Sequence, residues 1–362
     1  VDLDGFLTYL GEKVKLGGYC LYCQRMFNPG RPCQNHMISK SHCKIAYEED
    51  IDLDEFKNVC FEKLVKIASS HLMLPALYSN AKKKNLLKFF PEDLNSFLKK
   101  IFEENTRRNI ILTKELNELS KILAKNNISH LFVKGAYNIK TNLYDNLGER
   151  MVGDIDFLVN KNDLNVTEKI LLENGYRNSK VDTKKFWIRP HIPKLINTKK
   201  LFSVEIHREQ LRYFKRNLLP AKELLESMRL KKTDYLLKLC VLNYQINDYG
   251  AMSLSYSFRS IYDYVTLSKK YEMHSKDFKI RDIRNFFLIT DALGITHNIK
   301  KLNLVDRIIL IRFYFKKTYK FYYLIDNFIV GLMKVIPTRF LQFFEFIFDK
   351  KYRKYVYKKF NT

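Results

Sequence analysis

The sequence predicts an α/β (α+β) protein: a mixed-sheet domain flanked by helical regions, with a small metal-binding unit in front. Three observations support this fold class. Hydrophobic residues recur at helical spacing before about residue 127 and after about residue 210, the period changes to alternation in between, and paired cysteines and histidines crowd the first 43 residues. With 362 residues, 46% of them hydrophobic, the chain has material for two or three domains. The predicted boundaries are 1–56, 57–127, 128–210 and 211–362.

The first segment carries a zinc-ligand pattern. The ligand set is Cys20, Cys23, His36 and His42. Its spacing places a cysteine pair on a hairpin and a histidine pair on a helix, as in a tetrahedral structural zinc site. Cys33 and Cys43 lie beside the set and could compete as ligands, although we interpret them as spare thiols. A unit this small gains most of its stability from the metal, so we predict a zinc finger over 1–56.

The basic charge of the chain belongs to the larger part. Residues 1–56 contain six Lys/Arg and nine Asp/Glu, a net of −3, and since the whole chain carries +25, the remainder carries +28. Such a surplus favours phosphate-bearing partners, whether nucleotide, nucleic acid or anionic lipid, and does not choose among them. An AT-rich genome, which encodes many Lys, Asn, Ile, Phe and Tyr residues, is an alternative source of much of it.

The flanking regions read as helices and the middle as strands and helices. Before the sheet, apolar residues recur at helical spacing, as in the set Leu64, Ile67, Ala68 and Leu72. Ile128–Val133 is an apolar run that ends in a turn, Asp154–Val159 alternates, and so does Leu201–His207. A helix is predicted from Asp163 to Asn174, with Gly175 just past its end. This order predicts a mixed sheet over 128–210.

Three acidic residues in these strands form a candidate metal site. Side chains two apart in a strand share a face, so Asp154 and Asp156 project together while Ile155 enters the core. Close carboxylates repel unless a cation lies between them, and Mg²⁺ prefers oxygen ligands. Glu205, in the middle of a later strand, either lies on a solvated face or joins the two aspartates around metal.

The order of motifs in this region resembles the core of the DNA polymerase β nucleotidyltransferases. Within that superfamily the resemblance is to a large, mostly uncharacterised nucleotidyltransferase family, over about residues 60–295. It is carried by Val133-Lys-Gly-Ala136, Arg150-x-x-x-Asp154-Ile-Asp156-x-Leu-Val159, Leu171-Leu-x-x-Gly175-Tyr176 and Val204-Glu205-x-His207, with Phe258-Arg259-x-x-Tyr262-Asp263 further on.

The resemblance implies an enzyme that moves a nucleoside monophosphate from a nucleoside triphosphate to an acceptor hydroxyl, releasing pyrophosphate. Asp154, Asp156 and Glu205 would bind two Mg²⁺ ions and form the catalytic set. The remaining implied contacts with the triphosphate are the Gly135 backbone and the side chains of Lys134 and Arg150. His207 shares the carboxylate face as a hydrogen-bonding neighbour or a base, and Arg259 and Asp263 are expected to form a structural ion pair.

The N-terminal unit resembles one finger of the eukaryotic cytoplasmic zinc-finger factors that mature the large ribosomal subunit. The likeness lies in Gly5–Lys13, Cys20-Leu-Tyr-Cys23, Asn35-His-Met37 and Lys40-Ser-His-Cys-Lys44. It implies ribosome or RNA contact through the finger. An alternative function is therefore a zinc-finger RNA-binding or ribosome-biogenesis adaptor whose transferase-like domain is inactive.

The N-terminal and C-terminal ends of the sequence bear on localisation. No signal-peptide pattern opens the chain, and its longest apolar stretch, 321–336, contains Asp326, Asn327 and Lys334, so we predict a cytoplasmic protein without a transmembrane segment. Residues 301–362 contain fourteen Lys/Arg and four Asp/Glu among many aromatic residues. We expect a helical subdomain that packs its aromatics inward, the alternative being a segment that binds nucleic acid or a membrane surface.

Overall fold

The computed structural model describes residues 59–179, 190–229, 234–271, 280–296, 298–348, 350, 352–353 and 356–357. Within this part of the chain, three α-helices precede the sheet: α1 (Phe61–Ser70), α2 (Leu74–Lys83) and α3 (Glu92–Lys125). In α3, leucines at helical spacing are almost completely buried, among them Leu112, Leu116, Leu119 and Leu123. Burial of this stripe places α3 against the rest of the core.

The mixed sheet lies between residues 130 and 207, within the predicted α/β segment. Its elements are β1 (His130–Phe132), α4 (Lys134–Lys140), β2 (Asp154–Val159), α5 (Leu164–Glu173), β3 (Arg177–Asn178), β4 (Leu195–Ile196) and β5 (Ser203–His207). The strand order is β1-β2-β5-β4-β3, with β2 and β5 parallel and the other neighbours antiparallel. The predicted mixed α/β fold is confirmed, and β3 and β4 are additions that the sequence pattern did not show because each has only two residues.

The helices after the sheet are α6 (Ala221–Arg229), α7 (Asp234–Leu242), α8 (Gly250–Ser253), α9 (Phe258–Lys270), α10 (Arg281–Ala292), α11 (Leu304–Thr318) and α12 (Lys320–Phe348). In α9 and α10 the buried residues include Ile261, Tyr264 and Phe287, which join the same core as the sheet. Among the described residues, no helix combines the length and the apolar character that crossing a membrane requires.

The C-terminal helices correct one expectation. Helices α11 and α12 cover residues 304–318 and 320–348, as predicted, but most of their large apolar side chains point outward: Phe321 is 75% exposed, Phe328 68% and Phe348 78%. Inward packing of the aromatics is therefore wrong for α12. A 3.6-residue period cannot fix orientation in a helix that is apolar on most of its circumference.

Candidate functional site

The carboxylate site is built by the parallel pairing of β2 and β5. The register places Asp156 opposite Glu205 and Asp154 opposite Ser203. Ile155 and Val204, the intervening residues, are fully buried in the core, as period-2 alternation requires. Glu205 therefore shares a sheet face with both aspartates, as the sequence predicted.

Asp156 is the centre of this cluster. It is 3% exposed, and its Oδ1 lies 2.7 Å from Lys134 Nζ and 2.8 Å from His207 Nε2. Burial by itself raises the pKa of this carboxyl, but the hydrogen bond from His207 and the charge of Lys134 outweigh it and hold the pKa of Asp156 well below its usual range. Asp156 is thus a carboxylate at neutral pH. One potential ligand atom from each of Asp156, Glu205 and His207 lies within 4.8 Å of the other two.

Two residues that sequence reasoning missed complete the cluster. Lys194 Nζ lies 2.9 Å from Asp154 Oδ2 and 3.6 Å from Glu205 Oε1, and His191 Nδ1 lies 3.9 Å from Glu205 Oε2. Both precede or adjoin the two-residue strand β4, which gave no detectable period. Lys194 links Asp154 to Glu205 across the sheet, so the three carboxylates form one electrostatic unit with two lysines.

The turn between β1 and α4 brings Lys134 to this unit. Lys134, not the neighbouring glycine, adopts the left-handed conformation, with φ +55. A Cβ at Gly135 would lie 3.0 Å from Val152 Cγ2, so a larger residue here would require the Val152 side chain to shift. The backbone N–H of Val133 donates to the Asp156 carbonyl at 3.0 Å and ties the turn to β2. The turn therefore places the Lys134 ammonium beside Asp156.

Arg150 forms a buried ion pair with Asp263. Its Nε is 2.8 Å from Asp263 Oδ1 and its Nη2 is 2.9 Å from Asp263 Oδ2, while Tyr144 donates to the same carboxylate at 2.6 Å. Asp263 thus pairs with Arg150, and the expected partner Arg259 was wrong. Arg150 remains a predicted phosphate contact, but in this structure its guanidinium joins the segment before β2 to α9.

A second buried carboxylate fixes the same segment. Glu149 is 4% exposed and accepts hydrogen bonds from Ser79 Oγ at 2.8 Å and Tyr262 Oη at 2.7 Å. From α3, the Asn109 side chain donates to the Arg150 carbonyl at 2.9 Å. These bonds join α2, α3 and α9 to the approach to β2, so helices before and after the sheet position Asp154 and Asp156.

The zinc-ligand set Cys20, Cys23, His36 and His42 lies outside the described residues, and its geometry stays a prediction.

Two protein families match the chain. Residues 57–281, more than half of its length, match the family described as uncharacterised nucleotidyltransferase. Residues 1–62 match the family described as C2H2 type zinc-finger (2 copies), which supports zinc as the metal of this segment. The chain belongs to the uncharacterised nucleotidyltransferase family and carries an N-terminal C2H2 zinc-finger segment.

Similarity to curated proteins is confined to short stretches. Over 63 residues the chain is 46% identical to the cytoplasmic 60S subunit biogenesis factor REI1 homolog 2 of Arabidopsis thaliana. The alignment covers 15% of this chain and 16% of that protein. REI1 of Saccharomyces cerevisiae is 37% identical over 59 residues, covering 16% and 15%, and ZNF622 of Homo sapiens is 41% identical over 56 residues, covering 15% and 12%. The chain thus spans less than a fifth of these relatives. No solved structure matches it.

Proposed function

We propose that this chain is a magnesium-dependent nucleotidyltransferase that moves a nucleoside monophosphate from a nucleoside triphosphate to an acceptor hydroxyl and releases pyrophosphate. The observation that carries the proposal is the β2–β5 register, which sets Asp156 opposite Glu205 with Asp154 on the same face. Membership of a nucleotidyltransferase family supports it independently.

The donor set fits a divalent cation. Asp154, Asp156 and Glu205 supply three carboxylates, and hard cations such as Mg²⁺ prefer such oxygen ligands. The ammonium groups of Lys134 and Lys194 compensate two of the three negative charges. Because both lysines have long flexible side chains, they can leave the carboxylates and meet the anionic substrate when cations bind. Bound Mg²⁺ supplies neutralisation of triphosphate charge and lowers the pKa of a coordinated hydroxyl.

The remaining site residues position the carboxylates and the phosphates of the substrate. His207 is 1% exposed and its hydrogen bond fixes the Asp156 carboxylate, so we assign it a positioning role. Lys134 and the Gly135 backbone are our predicted phosphate contacts, because the turn that holds them lies against Asp156. Arg150 stabilises the approach to β2 through Asp263.

The proposal is tested with cation binding and nucleotide transfer measured in parallel. Mn²⁺ binding is measured by electron paramagnetic resonance, and transfer is measured from labelled triphosphates to acceptors in cell extract. We expect the Asp156→Asn variant to lose both. Lys194→Gln removes an ammonium that competes for the carboxylates and should bind Mn²⁺ about fivefold more tightly, roughly 1 kcal/mol near a protein surface.

Matched controls separate a local effect from a general one. Asp145→Asn neutralises a carboxylate that is 66% exposed and pairs with Lys83, and Lys199→Gln removes an exposed lysine near Lys194; both should behave as the wild type. Undiminished transfer by a folded Asp156→Asn variant would remove the site assignment.

A second function is favoured by the finger. Its likeness to the named biogenesis factors supports an adaptor that contacts RNA or the ribosome in the cytoplasm. In this alternative the transferase-like domain is inactive. Co-sedimentation with large ribosomal subunits, lost on zinc chelation and retained in Asp156→Asn, would support the adaptor. Transfer activity without such co-sedimentation would exclude it.

A further inference from the structure

The outer surface of α12 exposes far more apolar side chain than a soluble helix normally does. Among the α12 side chains that the structure describes, fifteen are large hydrophobics at least 41% exposed, whereas monomeric proteins rarely expose apolar patches above about 300–600 Å². They are Phe321, Tyr323, Leu324, Ile325, Phe328, Ile329, Leu332, Met333, Val335, Ile336, Phe340, Phe343, Phe344, Ile347 and Phe348.

The first half of α12 turns its polar side toward the protein. Asp326 is 6% exposed and accepts from Arg312 Nε at 2.7 Å and Lys316 Nζ at 2.9 Å. Lys316 also donates to the Ser253 carbonyl at 2.8 Å, which ties the cluster to α8. With its carboxylate bonded inward, α12 is anchored in an orientation that leaves the apolar residues outside.

The exposed apolar face is wider than a seam for one partner helix. Ile329, Met333, Ile336, Phe340, Phe343 and Ile347 follow a four-three spacing along one side. A parallel row, Phe328, Leu332 and Val335, lies next to it. A coiled-coil seam uses a single such stripe flanked by charged residues. Two adjacent rows fit a broad apolar medium better than one helix.

The positive charge of the C-terminal region indicates which partner covers the exposed apolar face of α12. Residues 301–362 carry fourteen Lys/Arg and four Asp/Glu, a net of +10. A second copy of the chain would bring the same positive charge to the interface. Nucleic acid would neutralise the positive charge, but its bases stack on aromatic rings and would leave the Ile, Leu, Val and Met side chains exposed to water. An anionic lipid surface provides both a negative headgroup layer and an apolar layer beneath it.

We propose that α12 docks on anionic membranes, lying along the surface with its exposed apolar face in the boundary between headgroups and acyl chains. The net positive charge of residues 301–362 is then attracted to the lipid phosphates. The arrangement brings the nucleotidyltransferase domain to a membrane surface, and it stands whether or not that domain is active.

The test is flotation of the full chain with vesicles. Vesicles of phosphatidylcholine mixed with phosphatidylglycerol should carry the protein upward, and vesicles of phosphatidylcholine alone should bind it at least about tenfold more weakly. The combined variant Phe328→Gln, Phe340→Gln and Phe343→Gln should lose at least about tenfold in binding to the anionic vesicles. Because the three side chains are 59–68% exposed, its thermal midpoint should match the wild type.

A matched variant makes the same changes on other helices. Phe97→Gln, Ile111→Gln and Val166→Gln alter side chains that are 40–53% exposed on α3 and α5, and this variant should float like the wild type. Equal loss in both triple variants, or wild-type protein that stays at the bottom with anionic vesicles, would overturn the proposal. So would a dimer in analytical ultracentrifugation that the α12 triple variant abolishes, or RNA binding that only this variant loses.

Discussion

In the α/β core, the apolar side chains of β2 and β5 are buried and the carboxylates share one face of the sheet, whereas α12 bonds the Asp326 carboxylate inward and exposes most of its large apolar residues. Of the exposed large hydrophobics in the described chain, eight precede residue 300 and twenty-four lie between Leu302 and Tyr357. The core buries its large apolar side chains within the protein, and the C-terminal helices leave most of theirs exposed. Under the two proposals made above, the core binds a nucleotide and the outer face of α12 binds a membrane surface.

The buried ion pair of the core should give the largest effect on stability. Arg150→Ala leaves the Asp263 carboxylate buried without its cation, so we expect a loss of about 3–5 kcal/mol in the free energy of unfolding, measured by urea denaturation. Lys83→Ala breaks a pair whose side chains are both 66% exposed and should cost less than about 1 kcal/mol. Equal losses in the two variants would mean that the pair does not hold the approach to β2.

Two phenylalanines in the C-terminal helices allow the stability contribution of a buried side chain to be compared with that of an exposed one. Phe313 is 2% exposed, and Phe313→Ala should cost about 3 kcal/mol in the free energy of unfolding because it opens a cavity between packed helices. Phe328 is 68% exposed, and Phe328→Ala should cost less than about 0.5 kcal/mol. Thermal denaturation of the isolated monomer measures both. A large loss at Phe328 would show that the outer face of α12 packs within the protein.

Asp306 gives a smaller effect that depends on pH. Hydrogen bonds from Arg284 above all, and from the Asn303 backbone and Arg281, lower the pKa of Asp306 below its ordinary value. A lowered folded-state pKa means stability that is present above the unfolded pKa, near 3.9, and lost as pH falls through the folded value. Asp306→Asn should therefore cost about 2 kcal/mol at pH 7.

The difference between wild type and Asp306→Asn should shrink below about pH 4, because the Asp306 carboxyl of the unfolded wild-type chain takes up a proton there while that of the folded chain stays ionised. Urea denaturation at neutral and acid pH measures this difference. Glu173→Gln, which changes a 61% exposed carboxylate on α5, should show little difference at either pH. A gap at Asp306 that stays constant into acid would contradict the ion-pair assignment.

The site was partly predictable because its acidic residues lie in strands with a clear period. Alternation in Asp154–Val159 and Leu201–His207 identified the faces of both strands, and the structure brings Asp156 and Glu205 together as expected. Lys194 and His191 could not be found this way, since β4 has two residues and no readable period. Asp263 was assigned to Arg259, its helical neighbour at i−4, because pairing with Arg150 across 113 residues has no local signal.

The sequence by itself determined the mixed α/β core, the helices around it, the shared face of Asp154 and Asp156, and the N-terminal zinc-ligand spacing. These are local properties, set by backbone periods of 2 and 3.6 residues and by ligand chemistry. Only the tertiary structure decided the β2–β5 register, the lysines on the carboxylates, the Arg150–Asp263 pair and the outward face of α12. Each depends on which distant segments meet, and this is fixed by the packing of the whole chain.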